Sequence, residues 1–337
     1  MTDHSSYSPY DYDSTHNDDI GDGKGSKNPF LSMRRLLWGF FGAIILGGLS
    51  ASFLWESLWA GIHFATGLEE LPPGFSSLMM LLGIQGGMAV FAWRRLRQAG
   101  VNIGQMMGSF PPTYNWVGGI GWAIALIMFT FSFMATIAYG AVALFPDTIS
   151  EAMKNLFTAL AQETNPFWIN IGMAMMGTIV APLVEEFTFR GLFWHYWSAR
   201  RSIQTGLLLT ALLFASLHPQ NFVGMFVFSL VLSLLYLRTR SLWVPIGIHA
   251  IYNGIIFSGD LLSAVTENKA GTTAMESPEA LAEEAVNEMI AAISQAQFGI
   301  VAGLFLLIAI FLIFRFMYKN WPQKSAPLPY FRNKPEL

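Results

Sequence analysis

FWINIGMAMMGTIVAPLVEEFTFRGLF, residues 167–193, decides how this chain is read. It is long and apolar enough for a membrane span, which needs about 20 residues. Yet its last third is VEEFTFRG, residues 184–191. Ionisable groups at membrane depth are costly, face a bundle interior rather than lipid, and mark function by default.

The rest of the chain has the same cast. Of its 337 residues, 53% are hydrophobic and only 12% are charged, with a mean hydropathy of +0.44. A soluble domain carries about 25% charged residues, so the class is polytopic membrane protein. The net charge is −3 and no basic patch with interleaved aromatics occurs, so no nucleic-acid partner is expected. Cysteine is absent, which excludes disulfides, thiolate metal sites and a cysteine nucleophile.

Eight apolar stretches follow a polar, acidic start: 36–55, 75–93, 116–145, 167–193, 203–217, 222–237, 242–257 and 298–317. They predict an all-α bundle of about eight spans. The domain reading is a disordered tail over 1–33, a transmembrane domain over 34–320 and a C-terminal tail over 321–337. His4 and His16 fall in the first tail and are given no ligand role. With eight spans, the clusters at Arg34–Arg35, Arg94–Arg97, Arg200–Arg201, Arg238–Arg240 and Arg315–Lys334 all fall on one side, and most acids fall on the other. The positive-inside rule then places both termini in the cytoplasm. Residues 147–161 have the apolar spacing of an interfacial helix. Ser277-Pro278 reads as the start of another, leading into the last span.

Polar residues inside the spans collect in the fourth, fifth and seventh. Glu186 and Arg190 are four apart and can pair on one helix face, while Glu185 is rotated about 100° away. A helix-locking ion pair needs only one carboxylate, so the second is unexplained by that reading. His218 precedes Pro219, where a helix should break. His249 and Asn253 are four apart, and both can donate hydrogen bonds. Each group alone has a plain structural reading, as a helix-end or inter-helix hydrogen bond. Counted at ~1.5 Å per residue, all four lie roughly 13–25 Å from the cytoplasmic end, so convergence of three helices is geometrically open.

Glu185-Glu186-Phe-Thr-Phe-Arg190 fits EExxxR, Phe214-Ala-Ser-Leu-His218 fits FxxxH, and His249-Ala-Ile-Tyr-Asn253 fits HxxxN. In this order, these motifs resemble the CPBP family of intramembrane proteases, which includes CAAX prenyl endopeptidases and bacterial relatives linked to bacteriocin processing and immunity. The resemblance covers about 167–257, the expected protease core. It implies that Glu185 and His218 activate a water, that His249 and Asn253 form the oxyanion hole, and that Glu186 pairs with Arg190 to hold the site. The implied substrate is a membrane-associated protein or peptide, prenylated CAAX types included. The expected location is the lipid bilayer of a bacterial plasma (inner) membrane.

No HExxH occurs, and an amide such as Asn253 is a poor zinc ligand and a good oxyanion donor. Metal-independent hydrolysis with no cofactor is therefore the expectation; if the site is a zinc one, its ligands would be Glu185, His218 and His249. Two rivals stand beside the protease. A proton- or ion-coupled transporter would use the same carboxylates and histidines as a relay, but the inverted repeats it often carries are not evident. A catalytically silent scaffold or immunity protein would have no need of both oxyanion donors.

Smaller features have plain readings. Glu56 and His63 are interfacial. His195, with Trp194, Tyr196 and Trp197, reads as part of an aromatic belt. Gly172, Met173, Met175, Met176 and Gly177 permit close helix packing, and Arg315 snorkels.

Overall fold

The computed structural model describes residues 33–67, 71–161, 165–269 and 278–333. The predicted N-terminal tail up to residue 32, with its two histidines, lies outside them, as do Glu69 and Glu70, while Met33 opens the first helix. Among the described residues every regular element is a helix.

The chain runs α1 (Met33–Thr66), α2 (Phe75–Gln98), the short α3 (Ile103–Met107), α4 (Trp116–Leu144) and α5 (Pro146–Ala161). Next come α6 (Phe167–Arg200), α7 (Ile203–Ser216), α8 (Phe222–Thr239) and α9 (Trp243–Lys269). The chain closes with α10 (Pro278–Ile293), α11 (Ala296–Asn320) and α12 (Pro329–Arg332). Local chemistry starts several of them. The side chains of Asn102, Asn115 and Ser202 accept the backbone N–H three residues on, at 3.2, 3.1 and 3.2 Å, opening α3, α4 and α7. At Pro219 the chain makes a single 3₁₀ turn between α7 and α8, where the sequence predicted a break.

Among the described residues, six helices are long and apolar enough to cross a membrane: α1, α2, α4, α6, α8 with its leading turn, and α11. They carry six of the eight predicted stretches. Of the other two, α7 has only 14 residues, and α9 runs 27 residues from Trp243. At ~1.5 Å per residue, α7 covers roughly 21 Å, short of a ~30 Å hydrocarbon core. The protein is an integral, multi-pass membrane protein. Its outer helices expose Leu46, Leu49 and Phe53 on α1 and Leu307, Ile308 and Phe311 on α11. Water would punish such surfaces, and lipid does not.

α8 is the axis of the bundle. Every residue from Phe228 to Tyr236 is buried, as expected of a helix apolar all round. α4, α7, α9 and α11 pack around it. On the far side of α6, α1 and α2 cross with their backbones nearly touching. A Cβ on Gly83 would stand 2.1 Å from the Gly47 carbonyl oxygen, and one on Gly87 would stand 2.2 Å from that of Ala43. Only glycine allows this approach.

α3 is held as a plug beneath α6 and α8. Tyr236 donates to the Met106 carbonyl at 2.5 Å, and the Asn333 amide donates to the Gln105 and Arg240 carbonyls, each at 2.9 Å. The stretch around α12, on the predicted C-terminal tail, therefore docks on the bundle. The predicted interfacial helix over 147–161 is α5. It packs on α10, and Lys154 Nζ meets Glu283 Oε1 at 2.6 Å.

The aromatic belt around His195 is a correction. Trp194, Tyr196 and Trp197 are buried, not lipid-facing. Trp194 donates to the Ile203 carbonyl at 3.2 Å and packs edge-on against Tyr236. His195 meets the Arg190 carbonyl through Nδ1 at 2.9 Å, with Tyr330 of α12 against its ring. Composition alone resembles an interfacial girdle, but the return of α7 and the docking of α12 cover this turn of α6.

Candidate active site

The double glutamate sits on a distorted helix. Within α6, one ordinary helical stretch, Ala181–Glu186, is flanked by two π-helical turns, Met176–Val180 and Phe187–Phe193. Such turns recur at functional sites, because the wider spacing re-aims side chains and frees backbone groups. Here the freed group can be named. Ala181 N–H bonds the Met176 carbonyl, five residues back. At that spacing the Gly177 carbonyl would be met by residue 182, which is proline and has no N–H. Asn253 supplies the missing donor, its Nδ2 reaching Gly177 O at 2.7 Å. Gly177 also lets α9 approach, since a Cβ there would overlap the Phe257 ring at 2.1 Å. Thus the π turn, the proline and the glycine together seat α9 against α6.

That seating delivers His249 to the glutamates. Glu186 and Arg190 are fully buried, and their predicted pairing is present, Arg190 Nη1 donating to Glu186 Oε1 at 2.9 Å. The other arm of the guanidinium, Nη2, donates to both the carbonyl and the hydroxyl of Ser229 on α8, at 3.0 and 3.1 Å. Its carbon lies 5.2 Å from the Phe214 ring centroid. Pairing and hydrogen bonding are what make a buried charge tolerable. The same Glu186 oxygen also takes His249 Nδ1 at 2.9 Å. A carboxylate only accepts, so Nδ1 carries the hydrogen and Nε2 faces away. It faces Glu185, whose Oε2 lies 3.9 Å off. The ring is held edge-on against Phe228, centroid to centroid 4.8 Å.

Glu185 is 9% exposed and takes its hydrogen bond from an unexpected quarter: Gln85 Nε2 on α2 donates to Oε1 at 3.1 Å. His218 closes the group. It ends α7 half-buried, its ring stacked on Phe214 at 4.7 Å, and Nδ1 meets the Phe214 carbonyl at 2.9 Å. Nδ1 is again the donor, which leaves Nε2 with its lone pair. Phe214 is the shared floor, touching the rings of both His218 and His249 and the Arg190 guanidinium.

The structure thus links Glu185, Glu186, Arg190 and His249 directly. It sets His218 beside them through Phe214 and ties Asn253 to the π turn just before the glutamates. Glu186 does more than pair with Arg190, because it also orients His249. Gln85 and Ser229 are the participants that sequence reasoning missed. A glutamine in an apolar span was the available signal for the first; Ser229 had none. Among the described residues no group of three or more His, Asp or Glu is placed to hold a metal ion.

Residues 166–255 match the model of the family described as type II CAAX prenyl endopeptidase Rce1-like. No curated protein and no solved structure matches the chain. The matched segment contains all seven defining residues of the three motifs, and it does not reach α2. The segment that carries Glu185, Glu186, Arg190, His218, His249 and Asn253 is thus similar to type II CAAX prenyl endopeptidases of the Rce1-like kind, in keeping with the family that the motifs resemble.

Proposed function

We propose that this protein is an intramembrane endopeptidase that hydrolyses a peptide bond of a membrane-associated protein or peptide, prenylated CAAX substrates included. The observation that carries the reading is the face-to-face placement of Glu185 Oε2 and His249 Nε2 at 3.9 Å, with Glu186 gripping the far side of the ring. That gap is too long for a direct hydrogen bond, and one water can bond to both sides of it. Gln85 Oε1 and Glu186 Oε2 are buried acceptors without a partner among the described residues, the condition under which a protein interior holds water.

In the proposed reaction Glu185, assisted by the free lone pair on His218 Nε2, takes a proton from water as its oxygen attacks the scissile carbonyl carbon. A C–O bond forms and the carbonyl π pair moves onto oxygen. His249 Nε2–H and the second N–H of the Asn253 amide stabilise that oxyanion. To donate from Nε2 as well as Nδ1, His249 must carry both protons; with Glu185, Glu186 and Arg190 charged, this leaves the four-residue cluster neutral. The C–N bond then breaks, and the proton held by Glu185 passes to the leaving amine. A carboxylate base is expected to contribute about 10²–10⁴ in rate.

The basic clusters support cytoplasmic termini and a site reached from that side, and a bacterial plasma membrane is the proposed location. The test uses purified protein in detergent with membrane-tethered and prenylated peptides, comparing wild type, Glu185→Gln and wild type with a zinc chelator. The expected result is cleavage by wild type with or without chelator, and none by Glu185→Gln although it folds. Retained cleavage in that variant would refute Glu185 as the base, and loss in chelator would move the chemistry to a metal.

A further inference from the structure

Gln85 belongs to α2, 81 residues before the start of the segment, at residue 166, that matches the endopeptidase family. It is 4% exposed, and its carboxamide lies against Glu185. A carboxylate offers only acceptors, so the amide must turn its NH₂ toward Glu185, as the 3.1 Å contact to Oε1 shows. Two consequences follow. Glu185 Oε1 is occupied, so Oε2 is the oxygen presented to His249, 3.9 Å away. Gln85 Oε1 is left buried with no partner among the described residues. A glutamine kept only to tie α2 to α6 has no reason to leave a buried acceptor open beside the carboxylate it holds. We propose that Gln85 is a positioning residue for the hydrolysis: its N–H pins one oxygen of Glu185 so that the other meets the attacking water, and its free Oε1 is a further acceptor for that water. This rests on the reading of Glu185 as the base. It also makes α2 part of the active site, although α2 lies outside the family segment.

The experiment compares full-length wild type, Gln85→Met and Gln85→Asn. Methionine keeps the volume and removes both polar atoms; asparagine keeps the amide on a shorter stem. The measurements are kcat and KM on a cleaved peptide and Tm in detergent. Gln85→Met is expected to lower kcat about tenfold or more, the scale of one hydrogen bond to a charged group, with KM within about twofold and a folded protein. Gln85→Asn is expected to recover part of the loss. Unchanged kcat per folded molecule, with only Tm reduced, would reduce Gln85 to a structural tie and overturn the proposal. A double-mutant cycle on Tm, pairing Gln85→Met with Glu185→Ala, separates this from the parent reading. Non-additive shifts support the Gln85–Glu185 contact even if no peptide is cleaved, and additive shifts overturn it. Cleavage by Glu185→Gln would instead defeat the assignment of the base.

Discussion

The α1–α2 pair and the α6–α9 pair are both close helix crossings, and they are closed by opposite means. Between α1 and α2 the contact is backbone on backbone, made possible by Gly47, Gly83 and Gly87, with no ion pair in the crossing among the described residues. Between α6 and α9 one glycine, Gly177, opens the approach, but the contact is polar: His249 on Glu186 and Asn253 on the Gly177 carbonyl. The first crossing is made by close backbone fit, so it tolerates no added atom. The second holds charges that cannot be left unpartnered in a low dielectric, so it tolerates no lost partner. Gln85, two residues past Gly83 on the same helix, is where the two meet. The shape-packed pair thereby sets the position of a group in the polar site.

This contrast can be tested from both sides. The largest effect is expected from Arg190→Met. Glu186 would stay fully buried with the guanidinium gone and only His249 left on it, at a cost of about 3–5 kcal/mol. Thermal unfolding in detergent should show a large drop in Tm, and adding Glu186→Gln should recover much of it. A single variant as stable as wild type would mean that the polar crossing is not charge-held. A smaller loss, about 1–3 kcal/mol, is expected from Gly83→Val, because the new Cβ meets the Gly47 carbonyl. The cleavage rate of its folded fraction should also fall, since displacing α2 moves Gln85; a rate unchanged at reduced Tm would show the two crossings to be independent.

The smallest effect is expected outside both crossings, at the exposed Lys154–Glu283 pair that joins α5 to α10. Lys154 holds the Glu283 carboxyl below its ordinary range, by hydrogen bond and by charge. The folded-state value is the lower one, so the contribution is present above the ordinary carboxylate range and is lost as pH falls through the folded value. Lys154→Ala should lower Tm slightly near neutral pH and not at all in acid. An equal effect at both would assign it to packing.

Local relations were legible in the sequence. Glu186 and Arg190 lie one turn apart, and a helix brings such residues together whatever surrounds it, so their pairing could be anticipated from spacing. The same holds for the break at Pro219 and for the α5 segment. Relations between helices were legible only in part. Three motifs pointed to one site, but spacing says nothing about which oxygen of which glutamate meets which ring nitrogen. His249 and Glu186 are 63 residues apart, and Gln85 and Glu185 are 100 apart. Trp194, Tyr196 and Trp197 resembled a lipid-facing belt because composition cannot show that a later segment folds back over them.

By itself, then, the sequence determined the membrane class, the helical architecture and the residue types able to hydrolyse an amide, since hydropathy and side-chain chemistry are properties of residues and short segments. Tertiary structure alone decided that Glu186 serves Arg190 and His249 with one oxygen, and that α2 brings Gln85 to Glu185. Those outcomes depend on how closely helices approach. That distance is set by a few glycines, a proline without an N–H and the π turns around the glutamates, whose effect appears only when a neighbouring helix packs against them.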